Sequence, residues 1–93
     1  MKISYDETKR LAILADRNLD IADAAQVFSS FHLTRLDAKH SDVEDRYITV
    51  GTIGETVVLM VWTQRGEERR IVTMWKANER ERVFFSNGRK LGG

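Results

Sequence analysis

Five basic side chains, Arg46, Arg65, Arg69, Arg70 and Lys76, stand at the ends of three consecutive runs of β-branched and aromatic residues. A small sheet edged with fixed cations is a surface for phosphate, because the planar guanidinium fork pairs with two phosphate oxygens at once. A second cluster, Asp37-x-x-His40 with Asp42, Glu44 and Asp45, has side chains that suit several divalent ions. It shows no recognised ligand spacing, and a loop of acids between strands is ordinarily solvated, so no metal site or other cofactor is expected. Gly51 and Gly54 have no helix after them and read as turn and strand-end residues rather than a phosphate-cradling loop.

The elements that must position these groups follow from the residue pattern. The runs 46–50, 57–63 and 70–75 read as strands, separated by turn signals at Gly54-Glu55 and Gly66-Glu67. Gaps this short leave no room for a crossover helix, so the three strands are antiparallel neighbours. Upstream, Asp6-Glu7-Thr8-Lys9 opens a helix with Leu11, Leu14 and Ala15 as its apolar stripe, ending near Asn18, a residue that tolerates the left-handed conformation. Asp20 reads as the N-cap of a second helix whose Ala24, Ala25, Val27 and Phe28 pack inward. A fourth strand is expected over about 31–36, then a polar loop over 37–45. Residues 77–85, rich in Glu and Arg, read as a closing helix, and 86–93 as a flexible tail.

The middle strand is apolar on both faces, with Val57, Leu59 and Val61 on one and Val58, Met60 and Trp62 on the other. One face is expected to lie under the two N-terminal helices and the other under the C-terminal helix or a partner protein. Met60, Trp62, Met74 and Trp75 read either as core or, in part, as a partner-facing patch.

The chain of 93 residues is expected to form one domain, 1–93. It has no cysteine, which excludes disulfides and thiolate metal sites. Its apolar runs are too short for a signal sequence or a membrane span, so a soluble, cytoplasmic protein without membrane contact is expected. Charge is unevenly distributed: six Lys and Arg oppose nine Asp and Glu in residues 1–45, whereas nine oppose five in 46–93. A basic second half is compatible with a polyanion, and also with ordinary solvated charge.

The ordered series Asp6-Glu7-x-Lys9, Leu14, Asp23-Ala24-x-x-Val27-Phe28, Asp37-x-x-His40, Glu44-x-Arg46, Gly51, Thr63-x-Arg65-Gly66 and Arg70-Ile71-Val72-Thr73-x-x-x-Ala77-x-x-x-Glu81 resembles the BrnT toxins of type II toxin–antitoxin systems. The resemblance runs from about residue 3 to 85. It implies an α+β, RelE-like fold in which two N-terminal helices pack on an antiparallel sheet of three to four strands, with a C-terminal helix. It also implies a ribonuclease that arrests translation. The implied partner is a BrnA-like antitoxin with a ribbon-helix-helix part, forming a heterotetramer of two toxins and two antitoxins that contacts operator DNA through the antitoxin. The chain departs from the family pattern twice. Asp16-Arg17-Asn18 stands where members carry Lys-His-Gly, and Trp75 stands where they carry an arginine.

Cleavage of RNA without a metal requires activation of the ribose 2′-hydroxyl, stabilisation of the phosphorane and a proton for the leaving oxygen. The resemblance makes His40 the proton-transfer group, since it is the one imidazole in the matched pattern. His32 lies outside the pattern and reads as structural. Arg46, Arg65 and Arg70 are the candidates for phosphorane stabilisation, with Arg65 at the end of the central strand the first choice, and each also reads as a surface ion-pair partner of Glu44, Glu67 or Glu68. RNA contact is expected from Trp75, which can stack on a base, and from Lys76 and Arg80. Two further functions stay open: a non-catalytic, toxin-like protein that binds the antitoxin and supports autoregulation, and a plain nucleic-acid-binding module.

Overall fold

The computed structural model describes residues 1–92. Lys2–Tyr5 forms β1, Glu7–Arg17 α1 and Ala24–Ser29 α2, the latter entered through a 3-10 turn at Ile21–Asp23. Leu33–Leu36 is β2, Tyr47–Ile53 β3, Thr56–Arg65 β4 and Glu68–Lys76 β5, and Glu79–Gly92 is α3. The strands make one sheet in the order β1-β5-β4-β3-β2. β1 runs parallel to β5, and every other neighbouring pair is antiparallel.

Local chemistry accounts for the boundaries. Asp6 caps α1 by accepting from the Lys9 N–H at 3.1 Å. The helix ends at Asn18, which takes the left-handed conformation (φ 55°) as its N–H bonds Leu14. The two hairpins close with two-residue turns whose first residues, Gly54 (φ 58°) and Gly66 (φ 60°), occupy the region that favours glycine. Asn78 and Glu81 form a reciprocal capping box at the start of α3, each side chain accepting from the other's backbone N–H at 2.8 and 2.9 Å.

The α+β class holds, with corrections to the layout. The sheet has five strands, not three to four, because β1 precedes the helices and pairs in parallel with the far end of the chain. The fourth expected strand is confined to Leu33–Leu36. Residues 86–92 continue α3 rather than forming a tail, because Gly88 and Gly92 let the helix lie against Leu33 and Phe31: an added Cβ would come within 2.6 and 2.8 Å of those side chains. Gly93 lies outside the described residues. On α1 the inward residue is Ile13, while Leu11 and Ala15 are exposed, as is Ala25 on α2.

The two faces of β4 are covered differently. Val58, Met60 and Trp62 join Ile13, Leu19, Ile21, Ala24, Val27, Phe28, Ile71 and Met74 in the main core beneath α1 and α2. Val50, Leu59, Ala77 and Phe85 form a smaller core beneath α3, with Trp75, Ile48 and Leu33 packed at its border. The border residues are half-buried, so α3 leaves part of its face of the sheet open. At the other end of the main core, Arg10 donates two hydrogen bonds to Asp20 at 2.9 and 3.1 Å, tying α1 to the 3-10 turn. The guanidinium, together with the Ala22 N–H, holds the Asp20 carboxyl below the usual carboxylate range, and the same bonds raise Arg10 further above its own.

Candidate active site

The open part of the α3 face is a shallow groove of about 420 Å³. Its floor is Ile48 of β3, Val61 of β4 and Val72, Thr73 and Trp75 of β5. Arg35 of β2, Arg46 immediately before β3, and Asp37, Lys39 and His40 of the intervening loop form its rim. An imidazole, two guanidiniums, an ammonium and an indole thus border one open surface. Three of the residues singled out from sequence, His40, Arg46 and Trp75, meet here.

The loop that presents His40 and Arg46 is braced. The Asp37 N–H donates to the Arg46 carbonyl at 2.7 Å and its own carbonyl accepts from the His40 N–H at 3.2 Å. The Ser41 hydroxyl donates to the Asp37 carbonyl at 2.6 Å and accepts from the Arg46 N–H at 3.0 Å. His40 Nδ1 lies 2.9 Å from Asp37 Oδ2. Backbone groups that would otherwise face water therefore hold the imidazole turn against the strand that carries Arg46.

Arg65 and Arg70 do not line the groove. Arg65 is exposed as the last residue of β4, where its guanidinium donates to Glu44 at 3.0 Å. Arg70 is half-buried, in register between Ser4 of β1 and Thr63 of β4. The Ser4 and Thr63 hydroxyls on either side of it are buried without a hydrogen-bond partner among the described residues. Its face is set by a β-bulge: Val61 pairs with Thr73 but Trp62 pairs with Ile71, leaving Val72 as the extra residue of β5. Strict alternation would put residues 70, 72, 74 and 76 together. The bulge instead sends Ile71 to the main core with Met74 and moves Arg70 to the face of Thr73 and Trp75. Lys76 is in register with Val58, on the face away from Trp75.

A second, more apolar cavity of about 390 Å³ adjoins the groove and shares Arg35 and Ile48 with it. Arg80 and the exposed Phe84 of α3 line it together with Leu33, Val50 and Leu59. Arg80 thus sits one step along the same surface.

Arg35, Lys39 and Arg17 are the cations that sequence reasoning missed. Nothing in the pattern distinguishes Arg35 or Lys39 from solvated charge until β2 is placed beside β3. Arg17 belongs to the helix end where the family pattern is departed from, which was its only signal. Its guanidinium donates to the Met74 carbonyl at 2.7 Å and to the Thr73 hydroxyl at 3.2 Å. β1 covers β5 only as far as Ile71, so Arg17 caps the part of that edge left unpaired.

Arg69, by contrast, lies on the opposite face with its guanidinium 4.4 Å from the Phe28 ring centroid and 4.6 Å from that of Trp62. This contact is part of the roof of the main core. The acids of the loop do not gather: no group of three or more His, Cys, Asp or Glu that could hold a metal ion occurs among the described residues. No helix of the described residues is long and apolar enough to cross a membrane.

What this arrangement can do chemically is bind the backbone of a single nucleic-acid strand across Arg35, Arg46 and Lys39, stack a base on Trp75, and exchange a proton with it at His40. Comparison with curated proteins gives no significant match. The family model described as the ribonuclease toxin BrnT of type II toxin–antitoxin systems matches residues 5–81, most of the chain and every residue of the groove. The chain belongs to the BrnT family of type II toxin–antitoxin ribonuclease toxins.

Proposed function

We propose that this chain acts as a single-domain, metal-independent endoribonuclease that cuts cytoplasmic RNA and is held inactive by an antitoxin. The observation that carries this reading is the convergence of His40, Arg46, Arg35 and Trp75 on one groove. His40 takes the proton of a ribose 2′-hydroxyl. Arg46, with Arg35 on the same rim, neutralises the phosphorane, a contribution that typically amounts to a hundredfold or more in rate per donor. Trp75, Lys39 and Arg80 hold the strand to either side. Arg65 and Arg70 lie beyond the groove's end and serve the flanking phosphates, Arg65 only after leaving Glu44. Lys76, on the other face, is assigned no contact with the scissile phosphate.

Metal independence is supported by the engagement of the loop's acids, Asp37 with His40 and Glu44 with Arg65. The partner proposed is a BrnA-like ribbon-helix-helix antitoxin in a complex of two toxins and two antitoxins, which reaches operator DNA through the antitoxin and not through this chain. The RelE-like arrangement implied by the family is consistent with helices on the main-core side and an open sheet face opposite.

The test is expression of the soluble chain with and without its antitoxin, beside cleavage of cellular RNA by the purified chain in EDTA. Growth arrest and metal-free cleavage that His40→Ala and Arg46→Ala abolish are expected. Unimpaired growth at high soluble expression would overturn the enzyme reading in favour of a non-catalytic antitoxin-binding protein, and cleavage lost in EDTA would overturn metal independence.

A further inference from the structure

The Asp37–His40 contact is an i,i+3 pair within a short loop, a type that on most surfaces contributes little. Three features set this one apart. The Asp37 side chain is only 13% exposed whereas that of His40 is 61% exposed, so the carboxylate is fixed and one edge of the ring is free. Asp37 is anchored through its N–H to the carbonyl of Arg46 and through its own carbonyl to Ser41. Both side chains line the groove.

A carboxylate can only accept, so the bond at 2.9 Å places the hydrogen on Nδ1 of His40. The neutral ring then carries its lone pair on Nε2, away from Asp37. Resting on the ribonuclease reading above, we propose that Asp37 is a positioning residue that fixes His40 as the Nδ1–H tautomer and so makes Nε2 the base that takes the ribose 2′-hydroxyl proton.

In this step the O2′–H bond breaks and its proton passes to Nε2. The freed electron pair forms the O2′–P bond, the P–O5′ bond breaks, and O5′ leaves as an alcohol with a proton taken from solvent. The Asp37 carboxylate faces the imidazolium that forms. Ser41 holds the geometry by joining the Asp37 carbonyl to the Arg46 N–H, which keeps the base and the phosphate-binding guanidinium on one rigid turn.

The experiment combines single-turnover cleavage of a short RNA with ¹⁵N NMR of the histidines in the full chain. His32 provides an internal reference, because its Nδ1 lies 2.8 Å from the Ser30 carbonyl and must carry the hydrogen. Wild-type His40 is expected to give the same Nδ1–H signature, and Asp37→Asn, whose amide can donate to Nδ1, to shift it toward Nε2–H. The same variant is expected to lower kcat about a hundredfold or more with KM nearly unchanged. Asp37→Glu is expected to recover part of both the tautomer and the rate.

Adding Asp37→Asn to His40→Ala is expected to cost nothing further, since one acts through the other. Additive losses, a kcat near wild type in Asp37→Asn, or an Nε2–H majority in the wild-type chain would each overturn the proposal. Absence of cleavage by the wild-type chain would overturn the ribonuclease reading and the catalytic use of His40 with it. The tautomer measurement would then still decide separately whether Asp37 orients the ring.

Discussion

Truncation of Trp75 separates the two roles that its position combines. The indole borders the small core under α3 and also forms part of the groove floor beside His40 and Arg46. Removing a fully buried aromatic costs about 3–5 kcal/mol. Trp75 is half-buried and opens onto an existing groove, so Trp75→Ala encloses no new cavity and should cost roughly half of that, about 2 kcal/mol. For a chain of this size that is a fall in Tm of about 8–16 °C. Loss of a stacked base costs a further ~1–3 kcal/mol in binding, which weakens single-stranded RNA about 5- to 140-fold. Trp75→Phe keeps a ring and should recover most of both. Titration of RNA at 15 °C, well below the melt, keeps unfolding out of the binding constant. Fluorescence assigns the contact, since the only other tryptophan, Trp62, is buried in the main core with its N–H on Thr49 at 2.8 Å. RNA affinity unchanged within twofold, with no quenching of Trp75, would refute the stacking role even if the Tm falls as expected.

Three further outcomes can be measured directly. Trp75→Arg, which restores the family's cation beside His40 and Arg46, should raise single-turnover cleavage while lowering Tm; a rate at or below wild type in a folded variant would refute a catalytic use for a cation at this position. Thr63→Val should raise Tm by a few degrees, because the Thr63 hydroxyl is fully buried and unpaired and an unsatisfied buried group costs about 1–3 kcal/mol; a lowered Tm would show that the hydroxyl has a partner. Asp20→Asn should lower Tm at pH 7 and flatten the acid limb of stability: the folded Asp20 carboxyl is held low by Arg10, so its contribution is complete above about pH 4 and is lost as pH falls through the lowered value. An acid limb identical in mutant and wild type would refute that assignment.

Local chemistry made much of this molecule readable from its residues. β-Branched runs interrupted by Gly54 and Gly66 specify two tight hairpins, Asp6 and Asn18 bracket α1, and the doubly apolar β4 had to be central. Each of these depends on neighbours within a few positions. What depended on distant segments was not legible. β1 is a four-residue strand that exists only because β5, more than sixty residues later, offers it a parallel edge. α3 runs on through Gly88 and Gly92, poor helix formers, because Leu33 and Phe31 accept a bare backbone there. The functional surface was decided in the same way. His40, Arg46 and Trp75 stood out in the sequence, but Arg35 and Lys39 joined them only once the sheet was assembled, and the role of Arg17 on the open edge of β5 appeared only then. Which face Arg70 takes turned on a single extra residue, Val72, and a bulge answers to the pairing of two strands and to the core on both sides of them, not to the alternation of either strand alone.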